Sequence, residues 1–596
     1  MRLISLVALL AAPTILSAQT YPKGNDPRDG LKSGMYDAGS AASGMRLVSF
    51  SRKGAALDSV SGLTYVNSDL AFRDHYVYQG NFAGFMIWDV KDPKKPVLLS
   101  TVACITSQGD PSIIGNLLFL SAEGGGNRND CAKGGVQNPA DHMTGVRIYD
   151  VSNPSAPRLV KNVQTCKGSH THTVIPSPSD PGVIYIYVSG SRDARPDTEL
   201  AGCKNGTDPA DETNSLYRLD VIKVPLAHPE QATVVTGALI FTGLEPAGLS
   251  AARAAAQAER QARDTTARAP AMRTGPRNCH DVTAYPAIHL LAGACASHGL
   301  LVDISDPEHP VRLDAKADTN FSLWHTAVFS NDGQKVVFTD EWGGGTQPMC
   351  QATSMLEMGG NTTLTIADRK FTQHAYFKIP SAQTAQENCV SHNGGLVPVP
   401  GRDIMVQGWY QGGISVVDFT DPDHPFEIGY FDRGSADAPP APGDTANARI
   451  SRARGTIGGS WGAYYWNGYV YSSELARGLD VLELLPSDQL SANELAAAKL
   501  VTMTEYNPQS QPRLEWPAAF PVVRSYLDQL SRNRGLGSER ITAITNTLAQ
   551  AERQSGAARR TTLARLAGQV DGDAAGAADA ARVRAAAAAI RALAGR

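Results

Sequence analysis

Beyond its first 18 residues the chain lacks any unbroken apolar run near the roughly 18 to 20 residues that a membrane-crossing helix requires. No transmembrane span is therefore expected. Neither sign of charge dominates: 54 Lys and Arg stand against 58 Asp and Glu, a formal net charge of -4. Without a concentrated basic face, nucleic acid is not an expected partner. No two of the 8 cysteines form a Cys-x-x-Cys pair, which argues against a thiolate zinc site and leaves disulfides as their natural use. No nucleophile elbow, His-Glu-x-x-His helix or EF-hand loop is read, so hydrolase, zincin and calcium-sensor classes lose support. Gly124-Gly125-Gly126 and Gly343-Gly344-Gly345 fall at strand exits rather than between strand and helix, and read as loops rather than phosphate cradles.

What is present begins with a leader pattern. Arg2 supplies a positive start, Leu3 to Leu16 an apolar stretch, and Leu16-Ser17-Ala18 before Gln19 a small-residue cleavage site. Residues 1–18 are expected to be a signal peptide and the mature chain to be periplasmic, cell-surface or secreted. At 596 residues the chain is too long for one ordinary domain, and its character changes near residue 485, so two folded units are expected.

A repeated phrase decides the fold class. Gly84-Phe85-Met86-Ile87-Trp88-Asp89-Val90 leads into Asp92-Pro93 and Pro96. It returns as Gly145 to Val151 with Asn153-Pro154, as Gly299 to Ile304 with Asp306-Pro307, and as Gly413 to Phe419 with Asp421-Pro422. Each copy is a β-branched or aromatic run, an Asp/Asn-Pro turn and a second run, which is a β-hairpin. Another pair of runs precedes each hairpin, so the unit is four strands. Weaker copies bring the series to about seven units between Ser49 and Leu484. Four-stranded sheets repeated radially make a β-propeller, an arrangement that limits exposed edges.

The phrases Ile-Trp-Asp-Val, Ile-Tyr-Asp-Val, Leu-Val-Asp-Ile and Val-Val-Asp-Phe, each leading into Asp/Asn-Pro, resemble those of LVIVD-repeat proteins. The resemblance covers roughly residues 70 to 485 and implies an exported bacterial propeller with no settled activity.

The repeat frame also orders the cysteines. Cys104, Cys166 and Cys279 precede first strands, while Cys131, Cys203 and Cys295 follow second strands, points that antiparallel neighbours bring together. The expected pairs are Cys104–Cys131, Cys166–Cys203, Cys279–Cys295 and, joining adjacent blades, Cys350–Cys389.

Histidines recur where first strands begin: Ser169-His170-Thr171-His172, Cys279-His280-Asp281, Trp324-His325-Thr326 and Ser391-His392-Asn393. First strands line a propeller's channel, so equivalent positions converge near its axis. Imidazole is a common ligand for copper, zinc and iron, which makes His172, His280, His325 and His392 candidate ligands. Asp281 and Glu341 are candidate supports, and Glu123 and Glu474 candidate carboxylates at one mouth. The alternative is that the histidines cap strands by hydrogen bonding to the next blade. The histidines and the Glu341-Trp342-Gly343 phrase are similar to those of selenium-binding-protein and methanethiol-oxidase propellers, which implies channel histidines holding copper.

An Ala/Arg-rich insertion at 244–277 is expected to be helical over Ser250 to Asp264, and Ala436 to Ala446 to be a linker-like loop. Residues 486–514 read as a helical linker, with Ser491 and Glu494 forming a capping box. Apolar residues at helical spacing from Trp516 to Val570 predict a small three-helix bundle within 515–596, to which Ala574 to Arg596 could add a fourth helix. The bundle resembles helical C-terminal modules of some exported proteins and offers a surface for an envelope or protein partner. Two function classes follow: a binding or scaffold protein acting through its channel mouth, or a metal-dependent enzyme, most plausibly an oxidoreductase.

Overall fold

The hairpins form for reasons visible in their repeated residues. The aspartate that ends each phrase accepts a hydrogen bond from the amide two residues on: Asp89 from Lys91, Asp150 from Ser152, Asp303 from Ser305 and Asp418 from Thr420, at 2.8–2.9 Å. The next acidic or amide residue repeats the device, Asp92 with Lys94, Asn153 with Ser155, Asp306 with Glu308 and Asp421 with Asp423, at 3.0–3.1 Å. Two successive side-chain-closed turns thus reverse the chain around the proline. The glycine that opens the phrase is required by close approach: at Gly84 (φ 149°) and Gly145 (φ 140°) a Cβ would sit 1.9 and 2.1 Å from the carbonyl oxygens of Val102 and Val163.

The computed structural model describes residues 26–57, 62–263, 275–345, 348–384, 387–436 and 457–595. The leader, the return of the insertion through Pro270, and nearly all of the 436–446 loop lie outside the described residues. The chain is mainly β. Among the described residues the strands form four sheets of four strands, one of five and one of nine. The nine-stranded sheet is two antiparallel meanders, one starting at Asn393–Val397 and one at Ser460–Trp466, joined by a short parallel pairing of Asn393 with Gly462 and Gly394 with Ala463.

First strands touch in cyclic order: Asn67–Arg73, Pro111–Ile114, Thr171–Pro176, Asp281–Tyr285, Trp324–Phe329, Asn393–Val397, Ser460–Trp466, and back to Asn67–Arg73. Apolar side chains fill the spaces between neighbouring sheets. Phe72 of one sheet, for example, stacks on Trp466 of the last with centroids 5.3 Å apart.

The last meander is completed from the other end of the chain. Met45–Arg52 pairs antiparallel with Gly478–Leu484, from Met45 opposite Leu484 to Arg52 opposite Gly478, and Ser40–Ser43 adds an edge to the preceding meander. The sequence places the propeller over 45–485 and counts its units from Ser49, but does not mark Met45–Arg52 or Ser40–Ser43 as strands, because neither carries the turn phrase. Deleting residues 40–52 is expected to expose the Gly478–Leu484 edge and open the ring. The shortened chain should then lose its sharp thermal transition and become sensitive to limited proteolysis within 460–484; an unchanged melt would contradict this closure.

The insertion contributes a helix at Ala251–Arg263. The linker differs from expectation. Ser491 caps a short helix, Ala492–Ala498, with the reciprocal capping box in place, but residues 500–516 are not helical. Pro508 and Pro512 break any helix there, and the segment runs extended, with Glu505–Tyr506 pairing against Phe72 and Arg73. The C-terminal region then forms four helices, Phe520–Arg532, Ser538–Glu552, Gly556–Asp573 and Ala580–Ala594, the last within the Ala574–Arg596 segment that offered a fourth. The last helix packs through few large anchors, Val583, Ile590 and Leu593, because Ala586 and Ala587 let it approach its neighbours closely. No helix among the described residues is long and apolar enough to cross a membrane.

Candidate metal centre

The first strands aim their opening residues at one point. His170 and His280 stand immediately before the strands Thr171–Pro176 and Asp281–Tyr285, His392 before Asn393–Val397, and His325 second in Trp324–Phe329. Their rings form a continuous row, with centroids 4.1 Å apart from His170 to His280, 4.0 Å from His280 to His325 and 4.0 Å from His325 to His392. Glu341 follows the strand Lys335–Asp340 and faces the row. Its carboxylate lies 3.6 Å from His280 Nε2, 3.8 Å from His325 Nε2 and 3.9 Å from His392 Nε2, and it accepts a hydrogen bond from the Tyr410 hydroxyl.

The outward nitrogens are held by partners. His280 Nδ1 is 2.9 Å from Asp281 Oδ1, His170 Nδ1 is 2.8 Å from Glu123 Oε2, and His392 Nδ1 meets the Trp461 carbonyl. These contacts fix ring orientation and leave each Nε2 pointing inward. His170 Nε2 is 2.7 Å from His280 Nε2. His325 is 1% exposed, yet neither of its nitrogens has a hydrogen-bond partner, and His392 Nε2 also lacks one. Buried ring nitrogens left unpaired are rare and costly, so the group is chemically incomplete on its own. The ligand atoms of His325, Glu341 and His392 lie within 4.8 Å of one another, as do those of His280, Asp281 and His325.

Burial sets the protonation of the row. It holds His392 down to about 3, and it pushes His325 well below the usual histidine range with help from the neighbouring imidazoles. Both are therefore neutral, the form that donates to a metal. Burial also raises the Glu341 carboxyl. His170 behaves differently: burial works against its charge, but the Glu123 carboxylate outweighs this and pushes it up to about 9. Burial likewise opposes ionisation of Glu123, and His170 and Ser191 more than offset it, bringing Glu123 to about 2.

Beside His170 and His280 opens a cavity of about 490 Å³. Its lining combines the apolar and aromatic Val66, Phe82 and Trp461 with the polar Glu123, Glu341 and Tyr410.

Three sequence assignments are corrected. His172 is not part of the row: it lies within its strand, its Nδ1 2.8 Å from Ser121 Oγ, and His170 takes the inward place. Glu474 does not face the mouth, because Arg477 and the Gly459 amide occupy its carboxylate at 2.8 Å each. Gly458-Gly459-Ser460-Trp461-Gly462 does spell the nucleophile formula that the sequence reading passes over. However, Ser460 opens a strand and its hydroxyl is 2.7 Å from Ser472 Oγ, so it is no strand-to-helix elbow.

All four expected disulfides form: Cys104–Cys131, Cys166–Cys203, Cys279–Cys295 and Cys350–Cys389. Cys279 adjoins His280, so its bridge ties the entrance of that strand to the end of the next. Replacing Cys279 and Cys295 together by serine should cost about 3 kcal/mol, given the 16-residue separation and the usual loop-closure estimate. Thermal unfolding checks this, and non-reducing peptide mapping of the unmutated chain should recover Cys279 joined to Cys295.

A ring of four-stranded antiparallel sheets with its first strands facing a common axis is the arrangement of a β-propeller. Residues 140–165, which contain the phrase Gly145 to Val151 and the Asn153-Pro154 turn, match the LVIVD repeat, and the chain carries that repeat. No curated protein matches the chain. Among solved structures, it is similar at 10% identity to hydrazine synthase of Kuenenia stuttgartiensis, covering 67% of this chain and 89% of that one with a TM-score of 0.36. It is also similar at 8% identity to the β-propeller domain of Cps50 (Swd1) from Myceliophteria thermophila, covering 70% and 98% with a TM-score of 0.37. Likeness at this level carries no argument about function.

Proposed function

We propose that the chain is an exported, seven-bladed LVIVD propeller that holds one transition-metal ion at its axis and uses it as an oxidoreductase. The ligands would be His280, His325 and His392 through Nε2, together with Glu341, with His170 at the cavity side. Copper, iron and zinc all suit imidazole and carboxylate donors, and copper or iron would supply the redox chemistry. Asp281, Glu123 and the Trp461 carbonyl would hold the rings in place. The substrate class is a small, mostly apolar molecule with one polar group: it would pack on Phe82 and Trp461 while its polar end meets His170, His280 and Glu341. Four disulfides and the leader pattern support export.

The observation that carries this reading is the inward convergence of ring nitrogens, including a fully buried His325 with no partner on either nitrogen. The test is a titration of chelator-stripped protein with Cu(II), Fe(II) and Zn(II), repeated on a His280→Ala, His325→Ala double variant. One ion per chain, lost in the variant, is expected. Sub-stoichiometric uptake of every metal by the unmutated chain would remove the reading.

A further inference from the structure

The segment after the short helix Ala492–Ala498 crosses the inner face of the ring like a strap and bonds to one sheet after another. Tyr506 pairs with Phe72. Asn507 then acts as a one-residue strand, its Oδ1 accepting from Ile113 N at 2.7 Å and its Nδ2 donating to Ile113 O at 2.8 Å. Gln511 does the same at Phe329, with 3.0 Å for each bond. Further along, Leu514 and Asn331 bond to each other at 2.7 and 3.0 Å, and Trp516 Nε1 donates to Pro398 O at 2.8 Å.

Between these anchors the strap adds to the strand that begins beside His280. Ala284 N donates to Gln509 O at 2.9 Å, and Gln511 N donates to Ala284 O at 2.8 Å. The Gln509 side chain turns toward the axis: its Nε2 donates to Asp281 Oδ2 at 3.4 Å, and its Oε1 accepts from Thr173 Oγ1 at 3.5 Å. The other oxygen of Asp281 faces His280 Nδ1 at 2.9 Å. Gln509, Asp281 and His280 thus form one line from the C-terminal strap to the histidine row, and both Gln509 and Asp281 are buried.

We propose that Gln509 is a positioning residue of the axial site: it holds the Asp281 carboxylate so that Asp281 presents the Nε2 of His280 to the bound metal. This makes the C-terminal strap part of the metal centre rather than a tether for the helices, and it rests on the metal reading above. A carboxylate with one oxygen on a ligand imidazole keeps its orientation when its second oxygen is also bonded. Loss of such outer contacts weakens metal binding about 10- to 100-fold in comparable sites.

The experiment compares the full-length protein with Gln509→Leu and Asn507→Ala, the second loosening the strap at Ile113 without touching Asp281. Zinc affinity is measured against a competing chelator, and the visible spectrum of the Co(II)-loaded protein is recorded for each, with a thermal melt to establish that each variant is folded. The expected result is zinc affinity at least 10-fold weaker and a shifted cobalt spectrum in Gln509→Leu, with Asn507→Ala within about twofold of the unmutated chain and spectrally unchanged. Equal losses in the two variants, or unchanged affinity and spectrum in Gln509→Leu, would overturn the role of Gln509 while leaving the metal site standing. Should Gln509→Leu fail to fold, Gln509→Glu takes its place, since a second carboxylate against Asp281 must also shift the cobalt spectrum. Failure of the unmutated chain to bind zinc or cobalt would overturn both readings together.

Discussion

His325→Leu is expected to abolish metal binding while leaving the metal-free chain at least as stable as the unmutated one. The two effects have opposite signs because His325 is a stability burden without an ion. Its ring is 1% exposed and both nitrogens are unpartnered, and each buried unsatisfied polar group costs about 1–3 kcal/mol. Leucine is close in volume and removes those groups, against some lost contact with the rings of His280 and His392. With metal present the order reverses: a central ligand is gone, and affinity should fall by more than the 100-fold that outer contacts alone command. Thermal melts with and without chelator, alongside metal titrations, check both halves. A variant that loses several kcal/mol of stability yet keeps its metal content would make His325 an ordinary packing residue.

Glu494→Ala is expected to cost about 3 kcal/mol or more, the lower end of the range for breaking a buried ion pair, because Arg402 keeps Asp418. Glu494 closes the capping box with Ser491 and receives Arg402 Nη1 at 2.9 Å and Arg532 Nη1 at 3.1 Å. Arg402 belongs to the β-structure and Arg532 to the first helix of the C-terminal bundle, so this one carboxylate joins the two regions. Burial opposes its charge, but Arg532 and Arg402 outweigh that and lower its pKa below the usual glutamate value.

The sign of the pH dependence follows. A depressed folded-state pKa contributes stability that is present above the unfolded glutamate value of about 4.3 and is lost as pH falls through the folded value. The unmutated chain should therefore lose more stability between neutral pH and pH 3 than Glu494→Ala does. Parallel acid-unfolding curves for the two proteins would show Glu494 to be uninvolved.

Much of the propeller was legible because one turn chemistry is written into each strong repeat: Asp89, Asp150, Asp303 and Asp418 each close a turn that local sequence alone dictates. Cysteine pairing followed from the same frame, since three bridges join points that a hairpin brings together and Cys350–Cys389 links the remaining two cysteines between neighbouring sheets. The closing strand Met45–Arg52 and the strap around Gln509 were not legible. Both owe their conformation to partners distant in the chain, Met45 opposite Leu484 and Gln509 against Ala284 and Asp281, and nothing local marks them. Pro508 and Pro512 excluded a continuous helix over 486–514, a signal that the capping box at Ser491 obscured.

The site was half legible. His170 and His172 are two apart, so an extended strand puts them on one side and alternation cannot choose between them. The Ser-His pair could have: Ser169-His170 and Ser391-His392 occupy the same place before their strands, and His280 also precedes its strand directly. His172 lies two positions further in, where Ser121 engages its Nδ1. The orphaned nitrogens of His325 and the inward aim of Glu341 depend on side-chain geometry, which no spacing reveals.

X-ray absorption at the edge of the bound metal tests the central claim most directly, using the full chain reloaded with one equivalent of ion. The account predicts a first shell of nitrogen and oxygen with the outer-shell pattern of three or more imidazoles, and no sulfur. A shell of solvent oxygen without imidazole scattering would contradict it.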